Sequence, residues 1–302
     1  MASNLIWPSA NPLILSMQQA NQRRVYLAGE TEYTSEIRMI WRLVDEDSTD
    51  VYQNLAFDEA VARFTASQEN KLSTLRFWRS DKAVVIGRFQ CVHKEVNLSY
   101  CEENKISIAR RFTGGGAVYH DTGNLNFSIC ADRSEKYVPK TLIEIYEYFI
   151  GNVSKALQSI DIPTQYDPVR SCIRINDLKI TGTAGWLKRG VAFLHGTLLI
   201  NSNLPTLRQS ITPPKGQPIF LRDKTRVRCM DSKRDRVTNI ADQVKECPSD
   251  EAIKNAIAQS IEMSSRQSVQ KGSLSQEEKD AAQTLYQSRY SQSEWNLGTP
   301  AQ

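Results

Sequence analysis

The sequence has no apolar run long enough to cross a membrane. Its longest, such as Ala83 to Ile86 and Leu198 to Ile200, are strand-sized, where a spanning helix needs roughly 18 residues. It has no Cys-x-x-Cys pair. Six cysteines (Cys91, Cys101, Cys130, Cys172, Cys229, Cys247) and three histidines (His93, His120, His195) are scattered through 302 residues. That excludes a disulfide-framework fold and speaks against a structural zinc site. Reduced thiols in a cytosol-like compartment are expected: the cytoplasm, or the mitochondrial matrix in a eukaryote. No basic start leads into an apolar segment, so no secretory signal is read, and Glu30, Glu32 and Glu36 count against a transit peptide. Residues 1–37 read as a loosely attached extension. No fixed-period repeat is present. Nor is there an excess of one charge: 38 Lys and Arg face 34 acidic residues, a net +4, which excludes a dedicated nucleic-acid binder.

What is present is ordinary for a globular chain, 40% hydrophobic and 24% charged. The pattern begins at Ile37 with the strand-like IRMIWRLV. A helix is expected from Asn54 to Phe64. Leu75 to Trp78 and Ala83 to Ile86 read as strands about a Ser80-Asp81 turn, and Ile106 to Arg110 and Leu125 to Cys130 as two more. Leu142, Ile145, Phe149, Val153 and Ala156 mark one face of a helix from Pro139 to Ser159, with Pro139 in its first turn. Ile173 to Ile180 reads as a tight hairpin about Asn176-Asp177, and Ala192 to Asn201 as a strand. Helices from Asp250 to Met263 and from Ser275 to Tyr290, the second with a Ser275/Glu278 capping box, close the chain. Strands and helices do not alternate as regular βαβ units. The fold class is therefore α+β, with mixed or antiparallel sheets packed with helices.

Residues 110–128 read RRFTGGGAVYHDTGNLNFS. Three adjacent glycines cost backbone entropy and contribute no packing, and exposed N–H groups beside two arginines suit an anion. Neither a Walker loop nor a Gly-x-Gly-x-x-Gly fingerprint is present. The residues alone leave two readings open, an anion cradle and a hairpin turn flanked by solvated arginines. In LKITGTA (178–184) a strand-edge lysine precedes a Thr-Gly-Thr turn. Lys179 is suited to an oxygen that gains charge during reaction, yet such a lysine alone is usually solvated. His195, in FLHGTLLIN (193–201), is by itself an ordinary core or rim histidine.

In this order, LAFDEAV (55–61), LRFWRSDKAVVIGRFQ (75–90), the glycine segment, LKITGTA, HGTLLIN and DRVTNI (235–240) resemble the lipoate–protein ligase A family over residues 38–297. The resemblance implies a biotin/lipoate-protein-ligase-like catalytic domain, related to class II aminoacyl-tRNA synthetases, spanning 38–298 with a tail at 299–302. It implies an enzyme that forms lipoyl-AMP from lipoate, ATP and Mg²⁺ and passes the lipoyl group to a lysine of a carrier domain. By the same resemblance the catalytic pair is Lys179 and Arg111, with Lys179 on the carbonyl and phosphate oxygens. Arg110, Arg111, Thr113 and the Gly114-Gly115-Gly116 turn border the acyl-adenylate, with His120 in the same pocket. Val118 and Tyr119 take adenine positions and Asn124 a nucleotide-binding one. Thr181, Gly182 and Ala184 line the pocket, and His195 with Gly196 sits by the acyl chain.

The chain departs from the family twice. An Asn-Asp pair expected before the lysine is replaced by Ser171 and Cys172, which leaves Asp167 as the candidate metal ligand. The chain is expected to be the large catalytic domain alone, without the small C-terminal domain that follows Trp295-Asn296 in many members, so a separate accessory protein is expected to supply it. The other expected partner is an acidic lipoyl carrier, such as an E2 lipoyl domain or a glycine-cleavage H protein; nucleic acid and membranes are not expected. The basic stretch Arg222 to Arg236 reads as a solvated loop or as the carrier's docking surface. Two rivals remain: a transferase of the same fold, either adenylate-dependent or with Cys172 as nucleophile, and a non-catalytic lipoate-binding subunit. A biotin ligase is disfavoured, because its Gly-Arg-Gly-Arg-x-Gly-Arg run is missing.

Overall fold

The computed structural model describes residues 40–45, 48–221 and 229–301. The extension 1–37, the start of the first strand at 37–39, the 222–228 half of the basic stretch and the end of the tail at residue 302 lie outside the described residues. In chain order the elements are β1 (Ile40–Asp45), α1 (Val51–Ser67), β2 (Thr74–Trp78), β3 (Ala83–Ile86), two short helical turns (Val92–Glu95 and Leu98–Glu103), β4 (Ser107–Arg110), β5 (Val118–His120) and β6 (Asn124–Asp132). Next come α2 (Leu142–Gln158), β7 (Thr164–Asp167), β8 (Cys172–Ile175), β9 (Leu178–Lys179), β10 (Thr181–Lys188), β11 (Val191–Leu199), α3 (Leu204–Ser210) and β12 (Phe220–Leu221). The chain ends with α4 (Asp250–Ser265), β13 (Ser268–Lys271), α5 (Gln276–Leu285) running into a π turn (Tyr286–Tyr290), a helical turn (Ser293–Asn296) and β14 (Thr299–Pro300).

Capping sets the helix boundaries. Asp50 accepts from the N–H groups of Tyr52 and Gln53 and starts α1. Thr141 and Glu144 form a capping box, so α2 begins at Leu142 and Pro139 lies outside its first turn, contrary to expectation. The expected box at Ser275 and Glu278 opens α5.

The main sheet has the order β10-β11-β6-β2-β1-β13. β1 runs parallel to β2 and β13; the other pairs are antiparallel. The two faces of β6 separate by alternation. Leu125, Phe127, Ile129 and Ala131 join the core beneath α2 and α4, while Asn124, Asn126 and Ser128 fall on the other face. Two rows cross four strands there. One is Trp78, Asn126, Thr197 and Gly182; the other is Arg76, Ser128, His195 and Ala184.

Two sequence expectations need correction. β2 and β3 do not pair: β3 enters a separate sheet of order β4-β3-β5. The Thr-Gly-Thr "turn" is the start of β10, eight residues paired with β11, and Ile180 alone separates it from β9.

Candidate active site

The loop between β4 and β5 carries the glycine cluster. A Cβ on Gly87 would stand 2.2 Å from the Gly115 carbonyl oxygen, and Gly115 has φ +84°; the first position has no room for a side chain and the second has a backbone that L-residues avoid. The Arg111 guanidinium organises this loop from beneath. It donates to the carbonyl of Val85 at 3.1 Å, of Gly114 at 2.6 and 3.0 Å, and of Gly116 at 2.7 Å. Arg111 is buried, and no carboxylate forms an ion pair with it among the described residues. Burial pulls its pKa down to about 10, which leaves it cationic at neutral pH. A buried cation bound only to carbonyl dipoles is poised for an anion.

Arg110 behaves differently from the sequence expectation. It is buried and donates to the carbonyls of Gly87, Gln90, Trp295 and Asn296. It fastens the loop to the C-terminal helical turn instead of bordering a ligand.

A slot with about 350 Å³ of empty space lies over the polar face of the sheet. Of the residues named from the sequence, Arg111, Val118, His120, Gly182, Ala184, His195 and Gly196 line it. Leu55, Trp78, Asn126, Thr183 and Thr197 line it as well. His195 is fixed from both sides. Its Nδ1 lies 3.1 Å from Asp58 Oδ2 and its Nε2 2.7 Å from Thr113 Oγ1. Burial lowers the His195 pKa against the opposing pull of Asp58. The ring is therefore neutral, with Nδ1–H donating to Asp58 and Nε2 accepting from Thr113. Burial alone would raise Asp58, but His195 and Arg76 outweigh it and hold the carboxyl below its ordinary value. Arg76 Nη1 reaches Asp58 at 2.9 Å and Ser128 donates to it at 2.7 Å. Asp58 was missed in the sequence reading. The available signal was an acid inside the apolar stretch of LAFDEAV.

Several residues expected at the ligand are committed elsewhere. Thr113 holds His195. Tyr119 points away from the slot, because β5 alternates, and packs with Val84, Ile86 and Val92. The Asn124 amide is saturated by Tyr119, Thr197, Asp121 and Ser202. The Thr181 hydroxyl accepts from the Ile173 N–H at 2.8 Å. Asp167 is paired with Arg174 at 2.8 Å and caps the N–H groups of Val169 and Arg170. Among the described residues no group of three His, Cys, Asp or Glu could hold a metal, so neither Asp167 nor its neighbours fit a dedicated Mg²⁺ site.

Lys179 lies outside the slot lining. Its N–H donates to the Arg236 carbonyl at 2.9 Å, and its own carbonyl accepts from Thr238. It pairs across the hairpin with Arg174, which also bonds Asp235. Cys172 is fully buried, and burial pushes its thiol pKa up, the wrong direction for a nucleophile.

The described part of the basic stretch is folded back and not a free loop. The Ser232 hydroxyl accepts from the Ala117 N–H at 2.8 Å and from Gln90 at 2.9 Å, and Glu95 holds the Ser232 N–H and Arg234. Cys91 and Cys229 are joined, Cα atoms 5.5 Å apart, so the expectation of six reduced thiols fails for this pair. Next to this segment, Leu204, Leu207, Ile211 and Val237 floor a groove of about 1250 Å³ with Arg208, Arg234 and Arg236 at its rim.

Residues 50–262 match the lipoyl protein ligase A/B catalytic domain family. The lipoate-protein ligase A subunit 1 of Thermoplasma acidophilum is 30% identical over 81% of this chain and 91% of its own length. A crystal structure of lipoate-protein ligase A bound with ATP superposes with a TM-score of 0.71 at 29% identity, over 86% of this chain and 99% of that one. A structure from the archaeal lipoylation system of Thermoplasma acidophilum, described as a bi-partite lipoate protein ligase and its E2 lipoyl domain, gives 0.72 at 29% identity over 87% and 98%.

Proposed function

The chain belongs to the lipoyl protein ligase A/B catalytic domain family, and on that footing we propose that it is a lipoate–protein ligase, which activates lipoate with ATP to lipoyl-AMP and transfers the lipoyl group to a lysine of a carrier domain. The observation that carries this reading is the buried, carboxylate-free Arg111 under a glycine turn at the mouth of a slot that holds a neutral His195.

In the first half-reaction a lipoate carboxylate oxygen attacks the α-phosphorus of ATP, and pyrophosphate leaves. Arg111 and the loop N–H groups meet the phosphate charge without bonding covalently to it. In the second, the carrier's lysine amine attacks the acyl carbonyl, AMP leaves, and Lys179 stabilises the oxygen that gains charge. Charge fixed before the reaction costs no reorganisation during it. The described residues offer no cage for Mg²⁺; it enters this proposal as MgATP, held on the phosphates.

The bipartite Thermoplasma system supports two partners, a lipoyl domain and a separate accessory subunit. An acidic carrier face suits the rim of Arg208, Arg234 and Arg236. The proposed setting is the cytoplasm, or the mitochondrial matrix in a eukaryote; no described helix is long and apolar enough to cross a membrane. The buried Cys172 disfavours the thioester transferase. Mass measurement on a lipoyl domain incubated with the chain, lipoate and MgATP, with and without an accessory subunit, tests the proposal. Addition of one lipoyl group only when ATP is present supports it, and no addition in any combination overturns it.

A further inference from the structure

Cys91 and Cys229 are joined although 138 residues separate them, in a chain whose other cysteines, Cys101, Cys130, Cys172 and Cys247, are free. Cys91 is buried and Cys229 half-buried. A single disulfide in the reducing compartment proposed above is usually transient and redox-sensing, because the thiol pool of that compartment works against a permanent one.

The link fastens residues 229–234 against the glycine loop. The Met230 N–H donates to the Phe89 carbonyl at 2.9 Å. The Ser232 hydroxyl accepts from the Ala117 N–H at 2.8 Å, and a Cβ on Gly116 would stand 2.9 Å from that hydroxyl oxygen. Ser232 therefore packs on the third glycine and takes up the first backbone donor beyond it. On the ligase reading the loop N–H groups meet the phosphates, so nucleotide has to compete with Ser232. We propose that Cys91 and Cys229 form a thiol–disulfide switch on nucleotide use. The disulfide latches Ser232 onto the glycine loop and weakens MgATP binding. Reduction to two thiols leaves Ser232 held by hydrogen bonds alone, which the nucleotide displaces. This rests on the ligase reading above. The reacting partner is a small-molecule thiol–disulfide couple such as glutathione. The thiolate of Cys229, the more exposed of the two, attacks one sulfur of glutathione disulfide and expels a glutathione thiolate. The Cys91 thiolate then attacks the Cys229 sulfur of the mixed disulfide and expels the second. The cysteine pair gives up two electrons, glutathione disulfide takes them, and the two cysteine protons end on the two glutathione thiols.

The test equilibrates the full chain with reduced or oxidised glutathione and reads the pairing by alkylation and mass. It then measures the KM for MgATP from lipoate-dependent pyrophosphate release. The oxidised chain is expected to show a KM about 10-fold higher, the worth of one donor to a charged oxygen, and reduction is expected to restore it. Cys229→Ser and Cys91→Ser are expected to keep the KM of the reduced native chain under both conditions. Cys247→Ser is expected to respond as the native chain does. A pair that stays reduced in oxidised glutathione, or stays joined in millimolar reduced glutathione, overturns the switch and leaves the ligase reading standing. So does a KM that is equal or lower in the oxidised chain, or a response that survives in Cys229→Ser. No pyrophosphate release in either state overturns the ligase reading and the switch together.

Discussion

The slot and the groove are both cationic, and they hold their charge in opposite ways. In the slot, Arg111 is buried and fastened to three backbone carbonyls, and Asp58, Arg76 and His195 lock one another. In the groove, Arg208, Arg234 and Arg236 are exposed. A charge fixed in a dry site acts strongly on one bound group; an exposed charge is screened and mainly steers encounter. On the proposed reading the difference gives small-molecule chemistry to the slot and protein recognition to the groove, and it can be broken by experiment.

The largest effect is expected on stability from the slot's internal ion pair. Asp58→Asn removes the carboxylate charge that Arg76 and His195 share. Breaking a buried pair in this way costs about 3–5 kcal/mol, whereas Arg208→Ala at the groove rim should stay within about 0.5 kcal/mol. Urea or thermal melts compare the two. Equal losses would erase the distinction between a locked and an open region.

Lys179, which lies outside the slot lining, comes next. Lys179→Ala should lower pyrophosphate release ~10²–10³-fold, as for loss of a donor to an oxygen that develops charge. A variant that keeps near-native release while losing acceptor lipoylation would move Lys179 from the adenylation step to the transfer step alone.

A smaller effect separates the regions by pH. Burial drives the His120 pKa to about 3 and lowers that of His195. An unfolded imidazole titrates near ~6.5. Below that value the unfolded chain binds protons that the native chain refuses, so stability falls as pH drops, by up to about 1.4 kcal/mol per pH unit for each such ring. For His120 the window runs from ~6.5 to about 3. Asp58, held below its ordinary pKa, keeps its contribution above ~3.9 and loses it as pH falls further. A stability profile flat between pH 7.5 and 5 would show that the slot imidazoles are not held neutral.

The same contrast explains what could be read from the sequence. Local signals sufficed for the four longer helices, for most of β6 and for the glycine loop by its three glycines. What failed was register. Thr181-Gly182-Thr183 looks like a turn until β11 arrives to pair with it. β2 and β3 look like neighbours until each finds a different sheet. Trp78 and Asn126 become neighbours only when four strands bring one row together, and Asp58 finds its partners only when α1 packs on the other row. Ser232 and the Cys91–Cys229 link, which spans 138 residues, depend on the chain returning over its own glycine loop. Tyr119 and Arg110 were drawn toward the ligand by adjacency in a motif, which strand alternation and a buried carbonyl cluster then undo.

The smallest effect is expected at the groove, where it speaks most directly to the partner. Arg234 is a poor probe, since it is tied to Glu95 and through it to Ser232 over the glycine loop. Lys233 and Arg236 are exposed and have no such tie. The double reversal Lys233→Glu and Arg236→Glu should raise the carrier domain's KM several-fold at low salt. The difference should fade at ~0.5 M salt, where the Debye length shrinks to a few ångströms. Pyrophosphate release should move far less than the carrier's KM, because the reversed charges lie outside the slot lining. If release falls and the carrier's KM does not, the groove serves the nucleotide and the division of labour between the two regions is wrong. If neither moves, the carrier docks on another face, and the rim arginines answer only to solvent.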